Sequence, residues 1–359
     1  MKLRQLLTLI VLAAVAIPPS ATAAPGLLLG VDDDSLKWAA RPAPLLNAYA
    51  ELGLGAVRVA LDWQPGQLVP SGSDRVEINR VAAASTRIRI VLAVAGPADQ
   101  PPLDPASRSA YCGYVANLLR RMPSVRDVAI WMEPNSSVFW RPQAGAPAAY
   151  EALLATCWDV LHAARPGVNV IASSAPHAKP AEWYAGLGAA YRASGRTLPI
   201  FDTVGHNAYP QSSSEAPDAP HAKGPIDEGD LGRLLGALSA AFAGTAQPLP
   251  GHDGVSVWYL EDGFQSTPPP GLGGYSGTEN ERHPVSEEEQ AALLSAAVRL
   301  AYCQPDVGAF FNFELRDDPS LSGWQSGLLR ADWTLKPAYT AYLDAIRAAV
   351  TGAISCAPR

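Results

Sequence analysis

Val128-Ala129-Ile130-Trp131-Met132-Glu133-Pro134-Asn135 is an apolar run that ends in a carboxylate. The proline after it has no N–H to continue a ladder of hydrogen bonds. Continuous apolar character, without alternation, is what a strand buried on both faces requires, and such strands belong to parallel sheets covered by helices. The reading is a strand whose C-terminal tip offers Glu133 to a cleft. A second stretch, Val255-Ser256-Val257-Trp258-Tyr259-Leu260-Glu261-Asp262-Gly263, has the same order: apolar strand, Glu, then a turn-forming Gly. Two carboxylates on two strand tips of one barrel are what glycosidic-bond hydrolysis needs.

Working outward from these two, strands are expected at 27–31, 56–61, 87–94, 128–132, 168–172, 199–205, 255–260 and 307–313. Helical patterns fall between them at 45–52, 73–84, 106–122, 148–164, 181–193, 231–242, 286–301 and 337–350. Gly53 and Gly55 close the first helix, and Ser286 with Glu289 forms a capping box opening the seventh. Strand then helix, eight times and without an internal repeat, predicts an α/β fold: a single-domain (β/α)8 TIM barrel. The competing architecture is a doubly wound open sheet. No G-x-G-x-x-G opens a helix after the first strand, which weighs against a dinucleotide site.

The chain opens with Lys2 and Arg4, an apolar run from Leu6 to Ile17, and Ala21-Thr22-Ala23. That is a signal peptide with an A-x-A cleavage site, expected at 1–23. The run is too short to cross a bilayer core of about 30 Å. Residues 24–359 are then the barrel domain, and export implies a secreted or extracytoplasmic protein with no membrane association after cleavage. Losing Lys2 and Arg4 moves the formal charge from −7 to −9. An acidic chain of this kind is a poor partner for nucleic acid.

Four cysteines in an exported chain predict disulfides. The helices carrying Cys112 and Cys157 are neighbours on the outer ring of a barrel. Cys303 ends the seventh helix, and Cys356 lies in the tail after the eighth. The expected pairs are therefore Cys112–Cys157 and Cys303–Cys356. No C-x-x-C and no H-E-x-x-H is present, so no metal is expected. No G-x-S-x-G elbow marks a serine hydrolase. Segments 134–147, 208–228 and 264–285 are long loops rich in Pro, Gly and Ser, each after a strand, where they could wall a groove.

Trp131-Met132-Glu133-Pro134-Asn135 resembles the W-N-E-P-N signature at the fourth strand of clan A glycoside hydrolases, the family 39 and family 5 type in particular. Leu260-Glu261-Asp262-Gly263-Phe264 resembles that clan's seventh-strand segment. Arg58, the turn His206-Asn207-Ala208-Tyr209-Pro210, and the stretch from Gly327-Leu328 to Lys336-Pro337-Ala338-Tyr339 fit the same pattern. The resemblance implies a retaining O-glycosyl hydrolase without a cofactor, acting on a carbohydrate, with Glu133 as acid/base and Glu261 as nucleophile. It implies that Arg58 and Tyr209 orient Glu261, that His206 contacts a sugar hydroxyl, and that Asn135 belongs to the substrate-binding set.

Met132 departs from the pattern, which has Asn there to bind the sugar's 2-hydroxyl; a thioether cannot donate a hydrogen bond. The alternative reading is a non-catalytic carbohydrate-binding or cell-envelope barrel derived from such an enzyme. Trp63, Trp140 and Trp324 follow strands two, four and eight and are candidate stacking platforms for sugars, core burial being the commoner role of such rings. Trp258 is out of phase with Glu261 on an alternating strand and is expected to face the helices. Asp32, Asp33, Asp34, Glu314, Asp317 and Asp318 follow strands one and eight and read either as solvated loop acids, the commoner case, or as ligands of sugar hydroxyls.

Overall fold

The computed structural model describes residues 26–251, 254–279 and 281–356. The expected signal peptide lies outside them. Eight strands, β1 (Leu28–Asp32), β2 (Ala56–Asp62), β3 (Arg89–Ala95), β4 (Asp127–Ile130), β5 (Asn169–Ala172), β6 (Thr203–Asn207), β7 (Val257–Asp262) and β8 (Val307–Phe313), close into one barrel in sequence order. Every pairing is parallel, including β8 back to β1. The outer ring comprises α1 (Ser35–Trp38), α2 (Ala43–Leu52), α3 (Asp74–Ala84), α4 (Pro105–Arg121), α5 (Ala146–Ala164), α6 (Pro180–Ser194), α7 (Leu231–Phe242), α8 (Glu287–Tyr302) and α9 (Pro337–Val350). The (β/α)8 expectation holds, with the short α1 as an unforeseen addition. No helix among the described residues is long and apolar enough to cross a membrane.

Two layers of apolar side chains build this arrangement. Outward residues such as Val57, Val59 and Leu61 of β2 join the helix faces in the larger core. Inward residues fill the barrel: Ala56, Val91, Ala93, Ala129, Ile171, Trp258, Leu260, Ala309 and Phe311. Small residues make room for large ones on the neighbouring strand. A Cβ on Gly30 would lie 2.7 Å from the Phe311 ring, and one on Gly205 would lie 2.4 Å from Leu260.

Trp258 is therefore inside the barrel, not against the helices. Alternation would indeed put Trp258 and Glu261 on opposite faces, but β7 carries a bulge. His206 pairs with Tyr259, and the next residue, Asn207, pairs with Glu261. The extra residue on β7, Leu260, resets the phase, so both Trp258 and Glu261 turn inward.

Strand boundaries differ where backbone groups find other partners. β4 stops at Ile130, because Trp131 has a left-handed backbone (φ 63°). β6 begins at Thr203, not at 199. Pro199 has no N–H to give, Ile200 gives its N–H to the Gln247 side chain (2.8 Å), and pairing starts only after Asp202 bonds Val170. Both disulfides join the expected cysteines, Cys112–Cys157 and Cys303–Cys356. The first ties α4 to α5, and the second ties the end of α8 to the chain beyond α9.

Candidate active site

A cavity of about 760 Å³ opens at the C-terminal ends of the strands, and both Glu133 and Glu261 line it. Glu133 reaches it through an unusual backbone. Trp131 (φ 63°) and Glu133 (φ 36°) are both left-handed, a conformation that costs an ordinary residue on the order of 1–3 kcal/mol. The turn is held from behind by rings. Trp131 packs edge-on against Trp63 and Trp140, at centroid distances of 6.4 and 5.4 Å, and Tyr111 and Tyr150 continue the cluster. The Trp131 indole donates to the Phe139 carbonyl at 2.8 Å. Sending this ring outward leaves Glu133 on the cavity side.

Glu261 reaches the cavity through the β7 bulge. Its Oε1 accepts from Arg58 Nη1 at 2.7 Å and its Oε2 from Tyr209 Oη at 3.0 Å. Arg58 is fully buried on the inward face of β2 and also pairs with Asp32 at the end of β1. Burial alone would lower the guanidinium's pKa; the carboxylates of Asp32 and Glu261 more than offset this, and it lies above the ordinary value. Burial and the nearby carboxylates hold the Tyr209 phenol well above its usual range, so it stays a donor.

The partner carboxyl sits in a different environment. Burial, then the charge of Glu261, pushes Glu133 up to about 7, against the opposing pull of the Asn207 amide and Arg58. Asn207 Nδ2 donates to Glu133 Oε1 at 2.7 Å from the tip of β6. One cavity thus holds a carboxyl whose pKa burial raises to about 7 and a second carboxyl that accepts from two donors. That division is what proton delivery and nucleophilic attack at one bond demand.

The other expected binding residues divide. Trp324 is 37 % exposed, lines the cavity, and lies 5.2 Å from the Tyr209 ring. Trp63 and Trp140 are fully buried in the cluster behind β4, so neither presents a face to a sugar. His206 is also buried on the helix side of β6: Nε2 contacts the Ile226 carbonyl and Nδ1 the Ser174 hydroxyl. Burial lowers its pKa to about 4, leaving a neutral ring with no access to the cavity. Asn135 spans the loops after β4 and β5, accepting from Ala175 N (2.7 Å) and donating to the Ala175 and Ala178 carbonyls. It braces the cavity wall and does not line it. Met132 does line it.

Several acids read as loop charges belong to the site. Asp32 and Asp33 are buried and line the cavity, Asp33 also accepting from the Tyr49 hydroxyl. Glu314 lines it too; burial, then Asp318 and Asp33, pushes its pKa up to about 10, so it is a neutral carboxylic acid at physiological pH. Asn207 had a signal in its place one residue after His206, at the end of an apolar strand. The pairing of Asp32 with Arg58 joins residues 26 apart on adjacent strands and has no local signature.

Solved structures of several glycoside hydrolases share this closed parallel barrel. A family 39 glycoside hydrolase from the gut symbiont Bacteroides cellulosilyticus WH2 superposes with a TM-score of 0.64 at 17 % identity, over 89 % of this chain and 63 % of that one. A monomeric β-xylosidase from Caulobacter crescentus CB15 gives 0.60 at 19 % identity, over 90 % and 69 %. The GH53 catalytic domain of Ignisphaera aggregans gives 0.62 at 14 % identity, over 91 % and 98 %. The chain spans under two thirds of the length of the family 39 structure and about half that of a GH2 β-galacturonidase from Eisenbergiella tayi. At these identities the likeness is one of fold. No protein-family model and no curated protein matches the sequence.

Proposed function

We propose that this protein is an exported glycoside hydrolase that cleaves O-glycosidic bonds with retention of configuration, Glu133 serving as acid/base and Glu261 as nucleophile. The observation that carries the reading is the opposed environments of two carboxyls on one cavity. In the first step Glu261 attacks the anomeric carbon while protonated Glu133 gives its proton to the leaving oxygen, and the glycosidic C–O bond breaks. In the second, Glu133, now a carboxylate, takes a proton from water, and the water oxygen displaces Glu261 from the sugar. Arg58 and Tyr209 hold the nucleophile, Asn207 holds the acid/base, and Trp324 offers an exposed ring for a sugar's apolar face.

Export is supported by two disulfides, which persist in oxidising compartments. The domain assignment is residues 24–359 as one catalytic barrel following a signal peptide at 1–23. The substrate is a carbohydrate, and nothing in the acidic chain favours nucleic acid. A panel of aryl glycosides and polysaccharides, run against the wild type with Glu133→Gln and Glu261→Gln beside it, tests the reading. Turnover by the wild type that either variant retains in full would end the assignment.

A further inference from the structure

Behind Glu261, on the helix side of β7, two further carboxyls meet. Glu228 opens one turn of 3-10 helix, Glu228–Asp230, just before α7, and Asp262 ends β7 one residue after Glu261. They are 1 % and 0 % exposed, and among the described residues no cation offsets the charge of either. Asp262 Oδ1 accepts from the Gly263 N–H at 2.7 Å. The two carboxyls hydrogen-bond each other, the Ala301 backbone is the other neighbour of Glu228, and Asp227 beside them adds negative charge. Two buried carboxylates in contact cannot both ionise, so the pair holds a proton between them. Burial, then the charge of Asp262, keeps Glu228 well above its usual range, and burial pushes Asp262 up to about 8.

We propose that Glu228, as a carboxylic acid, donates to Asp262 and is thereby a positioning residue for the nucleophile Glu261. Glu261 stands on a strand end whose ladder is irregular on both sides. The register shifts against β6 between His206 and Asn207, and against β8 between Tyr259 and Asp262. A bulge disrupts the ladder and bends the strand, so the ladder alone does not fix this tip. Arg58 and Tyr209 hold it from the cavity side. Alternation turns Asp262 to the other side, where Glu228 holds it. Glu228 is itself anchored behind β7: its carbonyl accepts from Gln304 Nε2 at 2.9 Å, and Gln304 Oε1 accepts from Tyr259 Oη at 2.8 Å. Through Asp262 the anchor reaches the Gly263 N–H, so it sets the chain on either side of Asp262, and Glu261 and Gly263 both line the cavity. The positioning role rests on the reading of Glu261 as nucleophile; the shared proton does not.

The test has two arms. Infrared difference spectra of wild type against Glu228→Gln at neutral pH read the proton directly. The wild type should show a carboxylic-acid carbonyl band that the variant lacks, and identical spectra would overturn the proposal. Kinetics on an aryl glycoside that the wild type turns over read the positioning. Glu228→Leu removes the donor and should lower kcat by roughly 10–100-fold, the scale of a misplacement of about 1 Å, with KM little changed. Glu228→Gln, whose amide can donate to the Asp262 carboxylate, should restore most of that kcat. Circular dichroism establishes that each variant is folded; should Glu228→Leu not fold, Asp262→Ala takes its place with the same expected loss. A folded Glu228→Leu with wild-type kcat, or a Glu228→Gln no better than Glu228→Leu, would overturn the positioning role. A wild type that turns over no glycoside ends the hydrolase reading and this role with it, while the infrared band still decides the shared proton.

Discussion

Asn207 Nδ2 donates to Glu133 Oε1 at 2.7 Å, joining the tip of β6 to the tip of β4 across the mouth of the barrel. The amide favours the carboxylate form, so it opposes the burial that pushes Glu133 up to about 7. Proton delivery needs the acid form, so activity should decline as pH rises through about 7. Asn207→Ala removes the opposing hydrogen bond. Its alkaline limb should move to higher pH, with kcat reduced because Glu133 is less well positioned. A pH–rate profile of both proteins on one aryl glycoside checks this, and a limb that moved downward would contradict the stated role of the amide.

The same burial has a thermodynamic consequence. A carboxyl whose folded pKa is raised from 4.5 to about 7 binds its proton more tightly when folded, so its contribution to stability is lost as pH rises through that window. Glu133→Gln has no proton to lose. The variant should be more stable than wild type at pH 8 by on the order of 1–3 kcal/mol, and the difference should shrink towards pH 4. Urea unfolding at the two pH values measures it.

Among the described residues, Arg58 is the side-chain donor to Asp32 and one of two to Glu261, and it is fully buried. Truncation strands two carboxylates that burial has already stripped of water. Arg58→Met should destabilise the protein by about 3–5 kcal/mol as well as remove activity, since breaking a buried pair leaves an uncompensated charge. A urea midpoint close to that of the wild type would show that the pairing is not buried in solution.

The tryptophans separate binding from folding. Trp324→Ala should leave the melting temperature nearly unchanged and raise KM on the order of tenfold, the size of a lost aromatic contact. Trp140→Ala should do the reverse, lowering stability by about 3–5 kcal/mol with little direct effect on binding. Measuring KM and melting temperature on both variants distinguishes a ring in the cavity from one behind it.

The barrel was legible because its physics is periodic. Apolar runs buried on both faces alternate with helical patterns, and α7 falls on the residues its spacing predicts. The cysteine pairs followed from helix order on the ring. What sequence periodicity could not reach were departures from regular backbone. The bulge on β7 turns Trp258 inward, and the left-handed Trp131 draws Trp63 and Trp140 into a buried cluster. A tryptophan after a strand looks the same in sequence whether it faces a groove or closes a core. Burial of Asp32 is likewise invisible locally, because its partner Arg58 stands on the next strand.

Retention through Glu261 requires a covalent bond between its carboxylate oxygen and the sugar. For whichever aryl glycoside the wild type turns over, the matching 2-deoxy-2-fluoro glycoside slows both steps, and peptide mapping by mass spectrometry locates any trapped adduct. The expected result is a single adduct on Glu261, absent from Glu261→Gln. An adduct on Glu133 or another residue, or a product of inverted configuration with no adduct, would contradict it.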